Sequence, residues 1–175
     1  NRWDQGPPEA SYEVVEHPER FTPLHAVASA LIDYLASNHE VTVEEGYHVT
    51  DGLTNKPTPA DVKRAVRLTP LAGGCAPITF ILTSFPGVRM HAGALFTAAY
   101  PSCGCNACDE NWVGAADELE WQTLAIAGGG FTEEVSEPRR PKWSFDRNHG
   151  FTQGMGQTIS YRLRALDGLV ETSGK

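Results

Sequence analysis

Ile78-Thr79-Phe80-Ile81-Leu82-Thr83 is the stretch of sequence that decides the fold. Six successive β-branched or apolar residues favour a strand at the centre of a sheet. Upstream, Val62–Leu68 alternates between two faces as a half-buried strand does. Downstream, Pro86-Gly87 predicts a tight turn into a strand over Val88–His91. The three segments together predict an antiparallel meander.

Two amphipathic helices are predicted on either side of this meander in the chain. Thr22-Pro23 places an N-cap residue before a proline at the first helical position. Apolar residues then recur at helical spacing to about Asn38. A second helix is predicted from about Asp109 to Ala127, ended by Gly128-Gly129-Gly130. Further strands are expected at Val41–Val43 and Gln157–Arg164. The fold class expected is α+β, an antiparallel sheet of about four to six strands with two main helices packed on one face.

Size and composition narrow the class of protein. A chain of 175 residues fits one domain covering 1–175. Its 41% hydrophobic and 21% charged residues exclude a disordered chain, a collagen-like repeat and a coiled coil. No apolar run approaches the roughly 20 residues that a membrane helix needs. The net charge of −8 argues against nucleic acid and anionic membranes as partners. No charged-then-apolar leader follows Asn1, so we expect an acidic, soluble, cytoplasmic domain.

The segment Cys103-Gly104-Cys105-Asn106-Ala107-Cys108 is the most specific chemical feature. Its glycine and asparagine give the backbone the freedom that a tight knuckle needs. Three thiolates turned toward one point predict a Zn²⁺ site, completed by one further ligand or by water. Cys108, placed at the start of the second helix, is expected to have a lowered thiol pKa. The first choice of fourth ligand is His91, which ends a strand shortly before the knuckle; the alternatives are Cys75, His149, Asp109 and water.

Two other interpretations of the cysteines stay open. Cys105 and Cys108 have the C-x-x-C spacing of thiol oxidoreductases, which favours a disulfide or a redox switch. The other interpretation is that the three thiols have no common partner or function.

An acidic pair in the second helix offers a different kind of site. Asp117 and Glu120 lie three residues apart and therefore share a helix face. They could form an acid–base pair bordering one cleft with the cysteines in a metal- or thiol-dependent enzyme, or simply a solvated acidic face. The sequence contains no Walker loop, G-x-S-x-G, dinucleotide fingerprint or H-E-x-x-H motif that would favour a particular enzyme class.

The chain resembles a family of bacterial proteins, mostly actinobacterial, that is classified as a domain of unknown function. Three segments together carry this resemblance: His17–Phe21, Pro101–Glu110 and Asp117–Trp121. The resemblance spans about Trp3 to Phe131. It implies a cytosolic, single-domain bacterial protein and brings no activity, substrate or ligand. The sequence therefore predicts an accessory or binding domain, with zinc stabilising the cysteine knuckle.

Overall fold

The structure is a computed structural model that describes residues 3–136, 140–145, 152–153 and 159–161. The helix α1 spans Pro23–Asn38 and α2 spans Trp112–Ala127. Short 3₁₀ turns add to them at Glu9–Ser11, Pro18–Phe21, Tyr47–Thr50 and Pro59–Asp61. No helix in these described ranges combines the length and the apolar character that crossing a membrane requires.

The first sheet is the predicted meander, extended by one strand at each edge. Its order is β1-β2-β3-β4-β5, and every neighbouring pair is antiparallel. All six residues of β3 are buried, as expected of the central strand. The strands are β1 Val41–Glu45, β2 Val62–Pro70, β3 Ile78–Thr83, β4 Val88–Ala92 and β5 Phe96–Tyr100.

Both helices pack on one face of this sheet, which confirms the predicted α+β class. One core cluster joins α1, α2 and β2–β5, and its large members are fully buried: Phe21, Leu24, Leu35, Leu68, Phe80, Met90 and Leu119. On the opposite face, Val49, Ala65 and Ile81 form a smaller apolar cluster. The sheet therefore has one face covered by helices and another on which polar and apolar side chains mix.

The start of α2 differs from the prediction. Asp109 has a φ of 52°, a left-handed conformation that no helix continues through. Asn111 is extended, and its side chain accepts a hydrogen bond of 2.9 Å from the N–H of Gly114, so the helix begins at Trp112. The knuckle and the helix are consequently separated by a short turn of chain.

A second antiparallel sheet, with strand order β8-β7-β6-β9, was not predicted. The expected strand over Gln157–Arg164 is present as β9, and the rest of that range lies outside the described residues. Phe131 of β6 packs edge-on against Phe96 of β5, with ring centroids 5.7 Å apart, which joins the two sheets. That 1–175 forms a single domain stays a prediction. The strands are β6 Phe131–Ser136, β7 Arg140–Phe145, β8 Thr152–Gln153 and β9 Ile159–Tyr161.

Candidate metal centre

The cysteine knuckle, residues 103–108, lies in the connection between β5 and α2. The Sγ atoms of Cys103, Cys105 and Cys108 all lie within 4.8 Å of one another. The closest approach described is the 3.2 Å between Cys103 Sγ and Cys105 Sγ. Sulfur atoms bound to one tetrahedral Zn²⁺ at ~2.3 Å stand roughly 3.8 Å apart, so small side-chain shifts suffice to bind an ion. Cys105 is buried, Cys103 half-buried and Cys108 exposed, which puts the cluster at the protein surface.

Glu110 fixes the start of the knuckle. Its Oε1 accepts a hydrogen bond of 2.8 Å from the backbone N–H of Cys103, and its Oε2 accepts one of 2.9 Å from the N–H of Ser102. The Ser102 hydroxyl donates to the same carboxylate. Hydrogen bonds to a carboxylate are stronger than those between neutral groups. Glu110 therefore fixes the backbone position of Ser102 and Cys103.

The N-terminal segment fixes the end of the knuckle. The backbone N–H of Asn106 donates to the carbonyl of Val14 at 2.8 Å, and that of Ala107 donates to the carbonyl of Ser11 at 3.1 Å. The Asn106 side chain completes the contact, since its Oδ1 accepts from the N–H of Glu16 and its Nδ2 donates to the Glu16 carboxylate. The backbone beside Cys105 is therefore held by chain that precedes it by about 90 residues.

Arg20 and Phe85 fix the middle of the knuckle around Gly104. The Arg20 guanidinium donates to the Gly104 carbonyl at 3.1 Å and lies 4.6 Å from the ring centroid of Phe21. On the other side, a Cβ at Gly104 would meet the ring of Phe85 at 2.6 Å. A larger residue at position 104 would therefore push the Phe85 ring outward.

The thiol with a lowered pKa is Cys105, not Cys108 as the sequence suggested. The hydrogen bond from the Cys103 thiol, followed by the backbone N–H of Cys108, lowers the pKa of Cys105 to about 7. The pKa of Cys108 is raised to about 12. Its thiol is hydrogen-bonded to Cys103 and Cys105, and the negative charge of these neighbouring thiolates opposes the formation of another thiolate at Cys108. The expected effect of the helix N-terminus on Cys108 is absent because α2 begins four residues later, at Trp112.

Among the described residues, the group of close metal-ligand atoms consists of the three cysteines. His91 does not join them, because β4 carries it away from the knuckle: Val88 pairs with Tyr100 at the near end, and His91 pairs with Thr97 further along. Cys75 lies in the loop between β2 and β3, and Asp109 is not part of the group either. His149 lies outside the described residues.

A groove of about 420 Å³ runs beside the knuckle between β5 and α2. The carboxylates that line it are Glu110 and Glu118, while Asp117 and Glu120 are exposed elsewhere on the helix. Gln122 donates to Glu118 and accepts from the hydroxyl of Tyr100, whose pKa burial raises. The acid–base pair expected from helical spacing therefore does not border this groove.

Two site residues were missed by the sequence analysis. The sequence analysis placed Glu110 in the first turn of the second helix. Its position directly after the cysteine segment could have indicated that it contacts the knuckle. The contacts of Asn106 could not be predicted from the sequence, because its partners Val14 and Glu16 are distant along the chain.

The chain belongs to the family of unknown function DUF6226, whose model matches residues 1–172. This confirms the resemblance to a domain of unknown function and extends it well beyond Phe131. The actinobacterial origin stays a prediction. Comparisons with curated proteins and with solved structures gave no match.

Proposed function

We propose that this chain is a metal-binding accessory domain in which Cys103, Cys105 and Cys108 hold one Zn²⁺ ion as thiolates. The observation that carries the proposal is the convergence of three Sγ atoms within 4.8 Å. An all-sulfur donor set favours Zn²⁺ over Mg²⁺ or Ca²⁺, which prefer oxygen ligands. The lowered pKa of Cys105, about 7, also supports it, because a thiolate is the form that binds metal.

The fourth position of the ion is assigned to water. Three protein ligands with an exchangeable fourth ligand are the pattern of zinc sites that act on, or bind to, something outside the chain. Cys108 is exposed, so an ion held here is accessible to a small ligand or to a side chain of a partner protein. In this role the metal stabilises the knuckle and offers a surface contact.

Zinc binding is tested by loading the metal-free full chain with Zn²⁺ and measuring bound metal after gel filtration. We expect one equivalent in the wild type and a loss of most of it in Cys105→Ser. Cys75→Ser is the matched control, because this thiol lies outside the cluster, and should bind like the wild type. Substoichiometric traces in the wild type, or equal losses in both variants, would refute the proposal.

A thiol switch is the second candidate. The C-x-x-C spacing predicted a bond between Cys105 and Cys108, whose Sγ atoms lie within 4.8 Å of each other. The 3.2 Å between the Sγ atoms of Cys103 and Cys105 offers a second pair. With hydrogen peroxide as oxidant, two thiols give up two electrons and two protons, one S–S bond forms, and the peroxide is reduced to two waters. The number of reactive thiols in the metal-free protein should fall from four to two. An unchanged count under mild peroxide excludes the switch, and protection by Zn²⁺ would show that both processes use the same sulfurs.

A further inference from the structure

The sheet face opposite the helices carries a row of polar residues at the end away from the cysteines. Arg67, Thr79, His91 and Thr97 are successive register partners across β2, β3, β4 and β5. Arg89 precedes His91 by two residues on β4 and therefore faces the same side. Met90, between them, lies in the core under the helices. The row thus brings two guanidinium groups and one imidazole to one face.

Arg67 is held in place across this face. Its Nε donates to Thr79 Oγ1 at 3.2 Å, and its terminal nitrogen donates to the carbonyl of Val49 at 2.6 Å. Since Thr79 is the direct neighbour of His91, these bonds orient the cation toward the imidazole. Glu44 is the register partner of Arg67 on β1, yet the ion pairs found in the described part of the chain do not include this pair. Arg67 therefore makes no close ion pair in the described part of the chain. Its charge does act on the Asp51 carboxyl, whose pKa is lowered mainly by Lys56 and to a smaller extent by His48 and Arg67.

His91 is the unusual member of the row. Its side chain is buried, with 5% of the residue exposed, and its Nε2 finds no hydrogen-bond partner. Burial, then the charges of Arg89 and Arg67, lower the pKa of His91 to about 4, so the ring is neutral near pH 7. An unpaired polar atom in a buried position costs free energy unless a ligand or an ordered water satisfies it.

Arg89 lies beside this buried histidine on the same face of β4. It is exposed, as are Thr97 and Ala99 on the neighbouring edge strand. Its only hydrogen bond described is a long one of 3.5 Å to the carbonyl of Asn55, which leaves its guanidinium able to turn toward a ligand. A planar guanidinium with several N–H donors matches the oxygens of a phosphate group, and the Nε2–H tautomer of a neutral imidazole adds one more donor.

We propose that Arg67, Arg89 and His91 form a binding site for the phosphate group of a small ligand. The two guanidinium groups supply the positive charge, and the buried imidazole Nε2–H supplies a hydrogen bond once the ligand displaces the side chains that cover it. The site is independent of the metal centre, since the register places it on β4 away from the knuckle. Two carboxyls act on these cations from a distance, Asp51 on Arg67 and Asp61 on Arg89, and among the described residues neither forms a close ion pair with them.

The test is a titration of the full chain with two probes, inorganic phosphate and adenosine monophosphate, followed by calorimetry and by NMR of the His91 ring nitrogens. We expect millimolar or tighter binding of at least one probe, with a shift of the Nε2 signal. Arg89→Gln should weaken binding about tenfold, the loss expected for one charge-assisted hydrogen bond. Tighter binding of the nucleotide would indicate a phosphomonoester ligand, and tighter binding of inorganic phosphate would indicate the free anion.

Arg64→Gln is the matched control. Arg64 lies on the same sheet but bonds to Ser29 of α1 on the helix side, and pairs with Glu45 at the edge. It should bind phosphate like the wild type. The proposal is overturned if neither probe binds, if binding leaves the His91 signal unmoved, or if Arg64→Gln weakens binding as much as Arg89→Gln does. Circular dichroism of both variants separates a loss of binding from a loss of folding.

Discussion

The carboxylate of Glu133 accepts a hydrogen bond of 2.8 Å from the backbone N–H of Leu95. The same side chain also accepts from Ala94 and Phe96, each at 2.9 Å. Glu133 belongs to β6 of the second sheet and is fully buried. Of its three donors, Ala94 and Leu95 lie in the turn between β4 and β5, and Phe96 begins β5. One carboxylate therefore satisfies three backbone donors and ties the two sheets together.

Replacing Glu133 should destabilise the fold strongly. In Glu133→Ala three backbone donors lose their acceptor in a buried position, and we expect the free energy of unfolding to fall by about 3 kcal/mol or more. Glu133→Gln should cost less, because one oxygen is kept. Urea unfolding measures both, with the exposed Glu120→Gln as a control that should stay within ~0.5 kcal/mol of wild type. A Glu133→Ala protein as stable as the control would contradict the role given to this carboxylate.

Gly93 is predicted to resist substitution for a related reason. Its φ of +59° favours glycine, and a Cβ there would collide with the carboxylate of Glu133. Gly93→Ala should lower the free energy of unfolding by at least ~1 kcal/mol. Gly73→Ala, where a Cβ meets nothing within 4 Å, is the control in the same thermal melts. Equal melting temperatures for the two variants would show that the carboxylate moves aside without loss.

Glu110→Gln should weaken zinc binding without removing a ligand. The carboxylate orients Cys103 through its backbone N–H, and loss of such a supporting contact typically costs 10–100-fold in metal affinity. We expect about a tenfold rise in the zinc dissociation constant, measured by competition with a chromophoric chelator. Glu118→Gln is the control, because this carboxylate lies in the same groove but makes no described hydrogen bond to the knuckle. The zinc affinity of this variant should match that of the wild type. Identical affinities for both variants would rule out the positioning role.

The metal-free protein should gain one thiolate as pH rises through about 7. The folded pKa of Cys105 lies below its ordinary value of 9.0, so above pH 7 the folded state binds fewer protons than the unfolded chain. Cys105 therefore makes the fold more stable as pH rises from about 7 to 9, and this contribution is lost as pH falls through 7. Ultraviolet absorbance of the thiolate follows the titration. A midpoint that persists in Cys105→Ser would assign it to another group.

Elements with a periodic pattern were predictable from the sequence. The run from Ile78 to Thr83 became the central strand, and the apolar spacing after Pro23 became α1 almost residue for residue. The periodicity of apolar residues indicates which side of a helix or strand is buried. This pattern is read from one short segment and does not depend on residues elsewhere in the chain. The three cysteines were found for a similar reason, since their ligand atoms come from one short segment.

Features made by distant chain were not predictable. His91 was chosen as a zinc ligand because it is near the knuckle in sequence, but the direction of β4 separates them. The start of α2 was placed too early for a local reason instead, because the left-handed Asp109 breaks the helix before Asn111 caps it. Glu133 carried no signal, because its partners are determined only when the two sheets meet.

The contacts between Asn106 and the segment containing Val14 and Glu16 have a consequence for the order of folding. They close a loop of about 90 residues that contains β1–β5. Closing so long a loop is entropically costly, so we expect the knuckle to reach its final shape only after this sheet has assembled. A nascent chain ending soon after Cys108 lacks α2 and the second sheet. We therefore expect high-affinity metal uptake to be a late event that follows folding, and the ion to act as a reporter of a completed domain rather than as its nucleus.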